Sequence, residues 1–217
     1  MRKGIIRIVI CFAGCIAGMK AYSLLLGLIG GFPIGVKAVI EPLGYWLAAA
    51  VPIIVMLLDH VSLEDIGWDS TGYVKQILTG VLIAAVFAGI VLIIYLTGLG
   101  ETMDPGYRIT KNWVFAWNFI KCIFAVGAVE ELVFRGVIYY YFKTAFQKEN
   151  AAVWGSSVLF GLMHLLSGNV FTAIGTMCIG LIYCLLKNRI RNCSLLSLMI
   201  AHGIHDAMID VFASVFL

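Results

Sequence analysis

Apolar runs near or above the ~20 residues that cross ~30 Å of hydrocarbon recur along the whole chain. Seven of them fill it, at about 5–30, 38–58, 75–99, 112–146, 150–166, 170–187 and 194–216. Composition agrees, with 62% hydrophobic and 12% charged residues, against about 25% charged in an ordinary globular domain. A soluble enzyme, a disordered chain and a secreted disulfide scaffold are thereby excluded. The expectation is an all-α, polytopic transmembrane helical bundle of about seven spans. It forms one domain over 1–217, with N-terminal spans in 1–111 and a core in 112–217.

Six cysteines lie mostly inside apolar runs without metal-site spacing and read as small hydrophobes. No basic stripe interleaved with aromatics is present, so nucleic acid is not expected as a partner. Met1-Arg2-Lys3 opens like a signal peptide, but the run continues past 20 residues without a small-residue cleavage site and reads as a retained span. Within it, Gly14 with Gly18 and Gly27 with Gly31 have the four-residue spacing that lets helix backbones approach. Pro42 and Pro52 are candidate kinks in the second span. Arg2, Lys3, Lys75, Lys143, Lys148, Lys187, Arg189 and Arg191 fall on the N-terminal side, and only Lys37, Arg108 and Lys111 on the other. That asymmetry places the N-terminus in the cytoplasm.

Charged residues inside apolar runs cost about 2.5–3.5 kcal/mol each on insertion scales and persist where they face one another or a polar cavity. Glu130, Glu131 and Arg135 lie in the fourth run, His164 late in the fifth, and His202, His205, Asp206 and Asp210 in the last. Glu131 with Arg135, and His202 with Asp206, are four apart and share helix faces. At ~1.5 Å per residue, Glu130 and Asp206 lie ~18 Å deep, His202 ~12 Å and His164 ~20 Å, so they can meet in one layer. Taken singly, Glu131–Arg135 also reads as an ion pair, His205 as a polar cap and His164 as an interhelical hydrogen bond. Jointly they read as a site for proton transfer or water activation, inside the bundle.

Val129-Glu130-Glu131-Leu132-Val133-Phe134-Arg135-Gly136 resembles the EExxxR motif of the CPBP intramembrane proteases. That family takes in CAAX prenyl endopeptidases of the Rce1 type, bacteriocin-processing proteins and Abi self-immunity proteins. Phe160 to His164 resembles its FxxxH motif, and His202 to Asp206 its HxxxN or HxxxD motif. The likeness covers about 115–210, and Ser62 to Trp68 resembles a loop often seen ahead of that core. It implies an intramembrane endopeptidase acting on a membrane-embedded or lipid-anchored peptide or protein. Glu130 would activate water, His164 would hold or polarise it, and His202 with Asp206 would stabilise the oxyanion. Glu131 and Arg135 would organise the site, with Phe160 and His205 in support.

Asp206 stands where many members have Asn; an ionised Asp repels an oxyanion, so it either stays protonated or orients His202, the role favoured here. A metal-free glutamate mechanism is expected, with zinc on Glu130, His164 and His202 as the alternative. A proton-coupled transporter and a non-catalytic immunity or scaffold protein are the rival classes. The chain's small size and simple loops point to a prokaryotic cell membrane. Substrate identity and oligomeric state are not legible.

Overall fold

The computed structural model describes every residue except Ser167. Among the described residues the regular structure is all helical, as expected. α1 (Arg2–Ile29), α2 (Ile34–Tyr45), α3 (Leu47–Leu58) and α4 (Tyr73–Leu96) precede a helical column over 112–146. That column contains α5 (Asn112–Lys121), α6 (Ala128–Glu131) and α7 (Tyr139–Phe146), and α8 (Glu149–Leu165), α9 (Val170–Arg189) and α10 (Leu195–Phe216) follow it. Among the described residues five stretches are long and apolar enough to cross a bilayer: Arg2–Ile29, Ile34–Leu58, Tyr73–Leu96, Val170–Arg189 and Leu195–Phe216. The column and the 17-residue α8 supply the other two expected columns. Large apolar side chains such as Leu28 and Leu82 stay exposed on the outside, a surface that suits lipid and not water.

α2 and α3 form one span, bent at Trp46. Pro52 has no N–H for the carbonyl four residues back, and its ring crowds that turn, so the helix yields just ahead of it. The two glycine pairs of α1 behave differently. A Cβ on Gly18 would lie 2.1 Å from the Leu47 carbonyl oxygen and one on Gly14 2.4 Å from Val51, whereas Gly27 and Gly31 have nothing within 4 Å. The first pair therefore seats α1 on α3, and the second faces open space. Gly18→Ala is expected to destabilise the protein by about 1–3 kcal/mol through overpacking. Gly27→Ala should be neutral or stabilising by up to about 1 kcal/mol. Thermal denaturation of the two variants in one detergent checks the contrast.

One end of the bundle is tied by charge and the other by hydroxyl groups. Arg7 grips Asp59 through two hydrogen bonds of 2.8 and 2.6 Å, Tyr141 donates to the same carboxylate at 3.0 Å, and Lys3 stands 3.5 Å away. Arg7 above all holds the Asp59 carboxyl down at about 2. At the opposite end Tyr107 donates to Asp210 (2.5 Å) and the Ile109 N–H to Ser214 (2.8 Å), which fastens the α4–α5 loop to α10. Asp210 thus belongs to a loop latch and not to the polar layer inside.

The 59–72 loop is folded into the core. Ser62 and Asp65 cap each other, the Leu195 N–H donates to the Gly67 carbonyl (3.1 Å), and Ile66 is buried against Gly136. Lys187, counted from sequence as a loop charge, is an internal tie. Its ammonium donates to the carbonyls of Ile66 (3.0 Å) and Arg135 (2.8 Å) and so locks the loop to the charged helix.

Candidate active site

The column over 112–146 does not keep one helical register. It opens into π geometry at Cys122–Gly127, returns to α for Ala128–Glu131, and opens again over Leu132–Ile138. The two glutamates thus sit on a single α turn between two wider ones. Such π segments are rare and occur often at functional sites. Against the first of them α10 packs backbone to backbone: a Cβ on Gly203 would fall 2.4 Å from the Ile123 Cα, and one on Gly127 2.4 Å from the Met199 carbonyl oxygen. Nothing larger than glycine fits there, and this approach delivers His202 to the glutamates.

His202 is held from both sides. Its Nδ1 lies 2.7 Å from Glu131 Oε1. A carboxylate accepts, so the proton is on Nδ1 and Nε2 faces the other way. There Nε2 meets Glu130 Oε2 at 3.7 Å and Asp206 Oδ2 at 3.5 Å. Glu131 Oε1 also accepts from Arg135 Nη1 at 2.9 Å, and both members of that i,i+4 pair are fully buried. The carboxylate that accepts from His202 and orients it, expected to be Asp206, is therefore Glu131. Asp206 flanks the opposite nitrogen instead.

Phe160 is the hub beneath these groups. The Arg135 guanidinium lies 4.1 Å over its ring, and the rings of His164 and His202 meet it at 4.6 and 6.0 Å between centroids. Two motif histidines on different helices thus lean on one phenyl ring, which places His164 and His202 in one layer. His164 Nδ1 sits 3.0 Å from the Phe160 carbonyl, an acceptor, so Nδ1 carries the proton. His205 turns away toward α4, its ring 5.4 Å from Phe87, and its Nδ1 stands 3.5 Å from Asp206.

Sequence reasoning missed Tyr45. Its hydroxyl donates a short hydrogen bond to Glu130 Oε1, and it reaches the site from the last residue of α2, far from the three motifs. Pro42 and Pro52 on either side of it marked candidate kinks but gave no sign of where a tyrosine between them would point.

Glu130, His164 and His202 share a layer but not a common opening among the described cavities. Glu130 and His202 are each 5% exposed; half-buried His164 and the Asp206 side chain form the accessible edge. An apolar cavity of about 330 Å³, lined by Trp46, Trp68, Phe124, Ala128, Leu132 and Met199 among others, lies directly beside the glutamate turn. A larger one of about 490 Å³ lies beyond it on the side of Lys37 and Trp113. Among the described residues no three His, Cys, Asp or Glu side chains are gathered to hold a metal ion; the Nδ1 bond to Glu131 leaves His202 Nε2 facing Glu130 and Asp206.

Residues 112–208 match the family model described as Type II CAAX prenyl endopeptidase Rce1-like. The matched stretch contains all three motifs and every charged group of the buried layer, and Tyr45 reaches that layer from outside it. No curated protein and no solved structure matches the chain.

Proposed function

We propose that the protein is an intramembrane endopeptidase that hydrolyses a peptide bond in a membrane-associated peptide or protein by glutamate-activated water. The observation that carries this reading is the division of labour within Glu130. Oε1 accepts the Tyr45 hydroxyl, while Oε2 has no hydrogen-bond partner among the described residues and faces the His202 side of the site. Oε2 is the base. It takes a proton from a water held beside His164 at the accessible edge, and the water oxygen attacks the substrate carbonyl carbon. His202, carrying a second proton on Nε2 beside the one on Nδ1, donates to the oxyanion so formed. The proton on Glu130 then passes to the amide nitrogen, the C–N bond breaks, and a carboxylate and an amine leave.

Glu131 works one step behind. It fixes the imidazole and balances Arg135, so the pair is at once an internal ion pair and the support of the site. Asp206 and Phe160 keep the two imidazoles turned toward the open edge, and the catalytic core is 112–217 within a single domain. The Lys and Arg asymmetry, even without Lys187, supports a cytoplasmic N-terminus, and the short loops fit a prokaryotic cell membrane. The apolar cavity beside Ala128 and Leu132 suits the lipid chain of an anchored substrate.

The test is cleavage in proteoliposomes of a lipid-anchored peptide and its unmodified twin, read by mass spectrometry. Cleavage of the anchored peptide supports the reading. Proton flux that depends on Glu130, with neither peptide cut, overturns it in favour of transport. Treatment with a strong zinc chelator is expected to leave the cleavage rate unchanged; stoichiometric zinc in the purified protein, with activity lost on its removal, would reverse the assignment of Glu130 as the base.

A further inference from the structure

We infer that Tyr45 is a positioning residue for Glu130, so that the first spans of the chain complete a site whose motifs all lie in 112–208. The inference rests on the protease reading above. Tyr45 and Trp46 stand at the bend between α2 and α3, and both reach across to the charged column. The Tyr45 hydroxyl donates to Glu130 Oε1, and the Trp46 indole N–H donates 3.1 Å to the Phe124 carbonyl within the first π segment. Tyr22 of α1 packs edge-on against the Tyr45 ring at 5.1 Å, and Gly44 lets that contact close, since a Cβ there would lie 2.5 Å from Leu25 and 3.3 Å from Tyr22. The phenol is therefore aimed by three helices at one carboxylate oxygen.

The consequence is geometric. A carboxylate can turn about its Cγ–Cδ bond and exchange its oxygens, and a donor on Oε1 stops that rotation. Oε2 is then kept toward His202 and the accessible edge, where a water is to be deprotonated. Tyr45 itself does not reach the substrate, so its removal should act on the chemical step and not on binding.

The experiment compares wild type, Tyr45→Phe and Glu130→Gln in the same proteoliposomes with the lipid-anchored peptide. In Tyr45→Phe, kcat is expected to fall about 10- to 100-fold, the loss of one hydrogen bond to a charged group, with KM and melting temperature unchanged. Full activity in Tyr45→Phe, or a fall in melting temperature and a rise in KM in place of the kcat effect, overturns the inference. If Tyr45→Phe does not fold, stepwise fluorination of the Tyr45 ring changes the acidity of the hydroxyl while keeping its place. A kcat that follows that acidity supports the inference, and a flat series overturns it. Wild type that cleaves nothing removes the protease reading and this inference with it, whereas active wild type with an unaffected Tyr45→Phe removes the inference alone.

Discussion

Glu130→Gln will lower kcat by about 10²- to 10⁴-fold, the range of a lost general base, while the protein stays folded and abundant. Gln keeps the shape of Glu, and its amide oxygen still accepts from the Tyr45 hydroxyl. Its NH₂ takes the place of Oε2, the atom that has no hydrogen-bond partner among the described residues. Burying an amide there costs less than burying a carboxylate. The expected melting temperature is therefore equal to that of wild type or higher. Cleavage by Glu130→Gln at the wild-type rate would remove Glu130 from the chemistry.

Glu131→Gln will fail in a different way. Arg135 and Glu131 are both fully buried, and Nε and Nη2 of Arg135 have no hydrogen-bond partner among the described residues, so Glu131 is the guanidinium's only ion-pair partner among them. Removing that charge strands a cation over the Phe160 ring, a loss of roughly 3–5 kcal/mol. The same substitution removes the charged acceptor of His202 Nδ1, so activity should fall as well. Adding Arg135→Gln separates the two effects. The double variant should regain much of the thermal stability, because no unpaired charge remains, but not the activity, because the imidazole still lacks its carboxylate. A stable, inactive Glu131→Gln beside a Glu130→Gln that cleaves would exchange the two roles.

The seven helical columns were legible because each had to be long, apolar and helical for one reason, the thickness of hydrocarbon. The buried charges were legible because each costs too much to be there without a partner. What sequence could not supply was the partner itself. Spacing on an ideal helix pairs Glu131 with Arg135, and that pair is present at 2.9 Å. It also pairs His202 with Asp206, yet the imidazole Nδ1–H donates to Glu131 on another helix, because α10 is pulled onto the π segment at Gly203. Gly14–Gly18 and Gly27–Gly31 have identical spacing, and only what lies opposite each decides that the first is a contact and the second is not. Tyr45 left no trace, since a tyrosine in a membrane helix is common and its direction depends on a bend.

The two π segments give the site a weakness that substitution scanning would not reveal. Each is a place where one extra residue is stored in the winding of the chain, so that the glutamates face α10 while both ends of the column keep their own packing. Deleting a single residue from either segment lets it relax to α winding and turns the glutamates by ~100° about the helix axis relative to that end. A chain one residue shorter within Cys122–Gly127 would conserve every motif and still point its carboxylates into the wrong neighbour. Length between residues 121 and 139, as much as identity, is what this site inherits.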